Sequence, residues 1–336
     1  MQKTIVVYRI GVDTLGSESP SRLIVQGVLE FARTNSACEI LCIGRTHDLA
    51  PVRSNGLAVI ECEKAINQHD SLVEILRSES SSSLHVGLNL LAEREIDAFV
   101  STGNTAALMA LGRHTLPMLP GWIRPAIIKR FESKKSPFWI LDLGANIARK
   151  RNLLLQFAYL GTAYAKSMHL TSKPRVAVLN IGAEAHKGPV VLRRVAVELS
   201  RQRHFDFVGF IEADLLFDGI ADVVVTDGFS GNIMLKSLEG AAKITHHYIR
   251  EALDKAALSN HELAESIARN VNSRLNSQSY NGASLIGLDG VVIKSHGHAD
   301  NVGIEAALKL ARDEVQAAIP KRLKMHFQEL AGTTLT

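Results

Sequence analysis

Apolar residues along this chain fall into short continuous runs, each followed by a cluster of small polar residues and then by a stretch with helical spacing. The unit is clearest in "DAFVSTGNTAALMALG" (97–112), "FWILDLGANIARKRNLLLQFAYLG" (138–161), "RVAVLNIGAEAHKGPVVLRRVAVEL" (175–199) and "ADVVVTDGFSGNIMLKSLEG" (221–240). Runs such as Val176–Leu179 and Val223–Val225 lack the alternation of a half-exposed strand, so they read as strands covered on both faces. "TIVVYRIGVD", the helical spacing across Leu23–Thr34 and the strand-like "CEILCIG" continue the pattern. Repeated strand–turn–helix units predict an α/β fold with a mostly parallel sheet.

Two stretches depart from this grammar. The serine run "LRSESSSS" (76–83) precedes Leu84, Leu88 and Leu91 at helical spacing, which makes Ser82 or Ser83 the expected helix cap. Residues 234–279 are nearly free of Gly and Pro after Gly240, and Leu263, Ile267, Val271 and Leu275 repeat every four residues. With a preceding helix over about 232–256 and a polar break near "LSNHE", the pattern predicts a long helical hairpin. Such an arm suits dimerisation or partner docking, and equally suits packing on its own domain.

Composition adds limits. At 336 residues the chain can bury a large core, and no apolar run reaches the roughly 18 residues of a membrane-spanning helix. The opening "MQKTIVVYRIGVD" lacks the long apolar segment of a secretion signal and is read as a mature start, with the cytoplasm as the expected location. Cys38, Cys42 and Cys62 show no ligand or disulfide spacing; Cys38 and Cys42 lie four apart in a strand and are expected as buried free thiols. A net charge of +4 is too mild for a nucleic-acid partner, and few aromatics interleave with the basic runs. Those runs cluster as "RFESKK" (130–135), "ARKRN" (148–152) and "LRRV" (192–195), which suits either solvated faces or a docking surface for an acidic partner.

The polar turns carry the candidate chemistry. In a parallel sheet, ligands sit at the carboxyl ends of strands, where helix N-termini offer unpaired N–H groups and a positive dipole end to phosphate. Glycine admits close backbone approach, and Asn, Ser and Thr supply neutral donors. "GNT" (103–105), "GAN" (144–146) and "SGN" (230–232) fit that design, and their recurrence matters more than any one of them. Near the C-terminus, "GVVIKSHG" ends a strand in Lys294 and His296, a cation for phosphate and a group able to move protons near neutral pH. His246, His247 and Glu262 lack metal-ligand spacing, so neither a metal nor a cofactor is expected. The absence of G-x-G-x-x-G after the first strand disfavours a nicotinamide dehydrogenase.

In order along the chain, "VSTGNTAALMA", "LDLGAN", "QFAYLG", "VAVLNIGAEAHKG", "TDGFSGNIMLKSLEG" and "YNGASLIGLDGVVIKSHG" resemble the bacterial phosphate acyltransferase family PlsX, over roughly residues 97–310. The resemblance implies one three-layer α/β/α domain over 1–336, related to isopropylmalate dehydrogenases and phosphotransacetylases, usually dimeric, with the 234–279 hairpin projecting from it. It implies transfer of a long-chain acyl group from acyl carrier protein to inorganic phosphate, giving acyl phosphate for phospholipid synthesis. Phosphate is then the nucleophile, and the protein must position it and stabilise an oxyanion. The acidic carrier gives the basic runs a reason. Family members act at membrane surfaces, but the arm's turn "DKAALSNHE" offers Leu258 alone as a bulky apolar residue, which implies weak peripheral contact at most.

By the same match, Lys187, Asn232 and Lys294 are expected to hold phosphate or oxyanion charge, with His296 as the proton-transfer group. Asn104, Thr105, Asn146, Asn180, Glu184, Asp227, Ser230, Lys236 and Asn281 are expected to bind substrate. The chain departs from the family pattern in places: the first loop reads "DTLGSESP" (13–20), Ala148 stands where an Asp is common, and Ala183 and Ala185 replace acidic residues. These changes are compatible with the ordinary reaction, with an altered acyl donor or acceptor, or with an accessory that binds the carrier without turnover.

Overall fold

The computed structural model describes residues 7–66, 70, 72–77, 82–168, 171–257, 266–267 and 281–334. The expected alternation is present. In the first half, β1 (Tyr8–Asp13), α1 (Ser21–Thr34), β2 (Cys38–Gly44), α2 (Ala50–Ser54), β3 (Ala58–Glu61), α3 (Leu72–Arg77), α4 (Ser83–Ala92), β4 (Ala98–Ser101) and α5 (Thr105–Thr115) follow one another. Then come β5 (Ala126–Phe131), β6 (Phe138–Leu141), α6 (Arg151–Ser167), β7 (Arg175–Leu179), α7 (Val190–Leu199), β8 (Asp206–Ile211), a 3-10 turn (Ala213–Asp218), β9 (Val223–Val225) and α8 (Gly228–Ala257). β10 (Ala283–Ile286), β11 (Val291–Lys294), α9 (Asn301–Gln316) and α10 (Ile319–Thr334) complete the chain.

The strands form one 11-stranded sheet in the order β3-β2-β1-β4-β11-β10-β5-β6-β9-β7-β8. β3, β2, β1, β4 and β11 run parallel, and so do β6, β9, β7 and β8. The two halves point in opposite directions, because β10 is antiparallel to both β11 and β5, and β5 is antiparallel to β6. A sheet that is parallel at both flanks and antiparallel at its centre could not be read from local pattern.

Side-chain alternation sends alternate residues to opposite faces. On one face a single apolar cluster runs across both halves, from Ile43 and Phe99 through Val292 and Leu285 to Ile140 and Val224, and is covered by α4, α5 and the start of α8. The other face carries two separate clusters, one under α1 and α9 and one under α6, α7 and α10. This is a three-layer α/β/α arrangement. Ser82 caps α4, its hydroxyl accepting from the His85 N–H, and Cys38, Cys42 and Cys62 are buried free thiols. The first limb of the expected hairpin is α8, a 30-residue helix with no buried residue from Gly240 to Lys255. The second limb falls outside the described residues apart from Ser266 and Ile267.

Candidate active site

Strand register builds the centre of the site. Ile10 and Val12 face the α1/α9 layer, so Asp13 at the end of β1 faces the opposite layer, with α4, α5 and α8. Asp13 is registered with Ser101 of β4, and Ser101 with Lys294 of β11. Lys294 is registered with Ala283 of β10, and the β10–β5 pairing Ser284↔Ile128 places Ala283 opposite Lys129. Asp13, Ser101, Lys294, Ala283 and Lys129 therefore form one row across β1, β4, β11, β10 and β5, all on one face. At about 4.8 Å between strands, two lysines and a carboxylate share a span of roughly 20 Å.

This row is largely withdrawn from water. The Asp13 carboxylate accepts from the Leu15 N–H at 2.9 Å and the Ser101 hydroxyl at 2.8 Å. Burial pushes it up to about 6, against those hydrogen bonds and the charge of Lys294. Lys294 donates to the carbonyls of Thr102 and Ser295. Burial pulls its ammonium down to about 8, opposed by Asp13 and assisted by Lys236. Lys129 is likewise pulled by burial to about 8, with Glu239 acting against the shift and Lys236 with it.

α8 lays a second line of groups over the row. Asn232, Lys236 and Glu239 stand at i, i+4 and i+7, one stripe of a helix, about 10 Å long at 1.5 Å per residue. Lys236 Nζ donates to Glu239 Oε2 at 2.9 Å, and His296 Nε2 lies 3.5 Å from the same oxygen. Burial pushes the Glu239 carboxyl up, but the hydrogen bonds and charges of His296 and Lys236 outweigh it and hold it at about 2.

The tip that carries His296 is braced from two sides. Buried Asn281 donates to the Ser295 hydroxyl and the Gly303 carbonyl and accepts from the His296 N–H at 3.0 Å. From the first loop, the Ser17 hydroxyl and the Glu18 N–H both donate to the Gly297 carbonyl at 3.0 Å, and Glu18 pairs with His298 at 2.6 Å. Ser17 and Glu18, in the first loop that departs from the family pattern, thus support the β11 tip. Gly16, at φ +70 with Gly103 Cα 3.2 Å from where a Cβ would stand, makes the tight turn before them.

The second half-sheet supplies a different set of turns. After β6, the buried Asp142 carboxylate accepts from the N–H groups of Ile127, Gly144, Ala145 and Asn146 and from the Asn146 side-chain amide. Asn146 also donates to the Pro125 carbonyl, so its NH2 group is committed to holding the loop. Asp227 caps α8: it accepts from the Ser230 N–H at 2.9 Å and hydroxyl at 3.0 Å, and Arg149 Nε donates to it at 2.6 Å. Gly231 is required there, since a Cβ would lie 2.0 Å from the Asp142 carbonyl oxygen. The Asn232 side chain lies against Gly144.

The remaining expected residues sit on turns of the two different halves, after β4 and after β7. Asn104 is the N-cap of α5, accepting from the Ala107 N–H at 3.1 Å, with exposed Thr105 beginning the helix. Asn180, at the β7 tip, donates to the carbonyls of Gly182 and Lys187. Lys187 and Glu184 pair with each other at 2.8 Å on the exposed part of the same loop. Lys294, His296, Lys236 and Asn281 therefore stand together; Asn232 shares the α8 stripe with Lys236; Asn146, Asp227 and Ser230 form the base of α8; and Lys187, Glu184 and Asn180 stand apart on the β7 loop.

Asp13, Ser101, Lys129, Glu239, Asp142 and Arg149 join these residues without having been singled out. Lys129 and Arg149 lie in or beside basic runs that look like solvated surface, and Glu239 occupies an ordinary helical pattern. A carboxylate at the strand tip in "GVD" and in "LDLG" was the one available signal.

Known proteins share this chain's sequence and fold. A family model described as "Fatty acid synthesis protein" matches residues 8–322. The chain is 37% identical over 325 residues to a "Phosphate acyltransferase" of Methylococcus capsulatus, covering 94% of this chain and 95% of that one. It is 38% identical over 332 residues to a protein of the same name from Pseudomonas fluorescens, covering 96% and 98%. Among solved structures, a branched-chain phosphotransacylase from Enterococcus faecalis superposes with a TM-score of 0.60 at 15% identity over 92% of this chain and 99% of that one. A EutD phosphotransacetylase from Staphylococcus aureus gives 0.56 at 15% identity over 94% of each. These likenesses show the phosphotransacetylase fold, and the sequence matches show the family: the chain belongs to the PlsX phosphate acyltransferases.

Proposed function

We propose that the chain transfers a long-chain acyl group from the thioester of acyl carrier protein to inorganic phosphate, forming acyl phosphate for phospholipid synthesis. The observation that carries this reading is the buried row holding Lys294 and Lys129 beneath Lys236 and beside His296. Cations with restricted access to water bind a small anion far more strongly than surface lysines do. Phosphate held there attacks the thioester carbonyl. The new P–O–C bond forms as the carbonyl π electrons move onto oxygen, and collapse of that oxyanion expels the thiolate. Lys294 and Asn232 hold phosphate and oxyanion charge, and His296 transfers protons. Cys42, pushed by burial up to about 12, is no nucleophile.

Asn104, Thr105, Asn146, Asp227, Ser230 and Asn281 form the surrounding frame in this reading, while Asn180, Glu184 and Lys187 stand apart on the β7 loop and take no part in it. Exposed Ile147, Ile181, Phe229 and Ile233, at the tips of the adjacent strands β6, β7 and β9, suit an acyl chain. Two of the basic runs converge: Arg151, Arg193, Arg194 and Arg201 line a groove with exposed Val190 and Val197. An acidic carrier docks there by charge complementarity. Outer α8, with Ile244 and Tyr248 exposed, is the place for a homodimer contact. No helix of the described residues is long and apolar enough to cross a membrane.

The test is to incubate purified protein with long-chain acyl carrier protein, with and without phosphate, and to measure free thiol and acyl phosphate. Phosphate-dependent release of both is expected. Carrier binding without turnover would replace the enzyme reading with that of an accessory.

A further inference from the structure

The cations that cluster on and beside Glu239 pose a selectivity problem. Lys129, Lys236, Lys294 and His296 attract any small tetrahedral dianion, and charge alone does not separate phosphate from sulfate. Yet a carboxylate stands among them. Lys236 and His296 both address its Oε2, at 2.9 and 3.5 Å, while Oε1 takes no hydrogen bond from the described residues. The Glu239 side chain is 22% exposed, so the carboxylate is not sealed from solvent.

We infer that Glu239 selects the anion: its Oε1 accepts a hydrogen bond from an oxyanion that carries a proton, and rejects one that does not. An ionised carboxylate is an acceptor only. Hydrogen phosphate presents one O–H at neutral pH and satisfies Oε1. Sulfate carries no proton there, so its oxygens meet Oε1 lone pair to lone pair. A site built to make a hydrogen bond discriminates strongly against an analogue that cannot make it. The bond also fixes the anion's orientation: the protonated oxygen faces α8, which leaves deprotonated oxygens to face the acyl carbonyl. Asp13 and Glu18 also act on the Lys294 charge, but neither shares an oxygen with His296. Glu239 is thus a specificity and positioning residue rather than a catalytic one.

This inference rests on the phosphate reading, and calorimetry separates the two. Phosphate, arsenate and sulfate are titrated into the full-length protein and into Glu239→Gln at neutral pH. Wild-type protein is expected to bind phosphate and arsenate, both proton-bearing, about tenfold or more tighter than sulfate. In Glu239→Gln the amide supplies a donor, so sulfate binding tightens and the preference falls to within about threefold. Glu239→Asp keeps the carboxylate and is expected to keep the sign of the preference. Equal binding of sulfate and phosphate to wild-type protein overturns the inference and leaves phosphate binding intact. So does an undiminished preference in Glu239→Gln. If wild-type protein binds none of the anions, the phosphate reading and the inference fail together. The arsenate–sulfate contrast needs no variant, so misfolding of Glu239→Gln does not shield the idea.

Discussion

Each half of the sheet buries an aspartate at a strand tip, and the two do opposite jobs. Asp142, after β6, is surrounded by donors: four backbone N–H groups and one side-chain amide converge on its two oxygens. Burial raises its carboxyl, those bonds oppose the shift, and the product is a rigid turn that seats α8 against the Asp142 carbonyl. Asp13, the last residue of β1, has fewer donors and faces Lys294 across Ser101. Its charge is left to act on a neighbouring cation. The same residue type at the same kind of junction is thus a structural anchor in one half and a tuning group in the other. The difference lies in how many backbone donors the following turn aims at it.

The largest effect that tests this contrast is on stability. Asp142→Ala leaves several buried N–H groups without an acceptor, at an expected cost of about 3–4 kcal/mol in denaturant unfolding. Asp13→Ala is expected to cost less than half of that, and equal losses would erase the distinction. Next in size is an effect on activity. Lys294→Met is expected to lower kcat/KM about 100-fold, roughly the effect of losing one preorganised charge stabiliser. It should not lower unfolding stability, because the lysine is a buried cation whose ammonium is pulled to about 8.

The smallest effect sharpens the contrast through pH. With Lys294 and Lys129 pulled to about 8, phosphate affinity is expected to decline as pH rises through 8, since the ammonium groups lose their protons there. Asp13→Asn removes a charge that favours protonated Lys294, so this alkaline limb moves down by roughly half a unit to one unit. In stability the sign is separate. The Asp13 carboxyl is raised from 3.8 to about 6, so its contribution is full below pH 3.8 and lost as pH rises through 6. Asp13→Asn should flatten that part of the stability profile, and an unchanged profile would assign the slope to other groups.

Local pattern determined a good deal of this molecule by itself. Continuous apolar runs marked β7 and β9, Ser82 capped α4, and the polar turns "GNT" and "SGN" fell at helix starts beside strand tips, whereas "GAN" lies in the loop between β6 and α6. Lys294 and His296 were legible because strand, cation and glycine stand together in eight residues, "GVVIKSHG". These features depend on neighbours a few positions apart, where period and turn chemistry decide. The central row was decided only by tertiary structure. Asp13, Ser101, Lys294 and Lys129 come from strands far apart in sequence, and they meet because β11 and β10 insert between β4 and β5 in one register. A shift of one residue would send Lys129 to the opposite face. Burial then converts an apparently solvated lysine and an ordinary helical glutamate into members of the proposed anion site, because a charge acquires its strength from what excludes water around it.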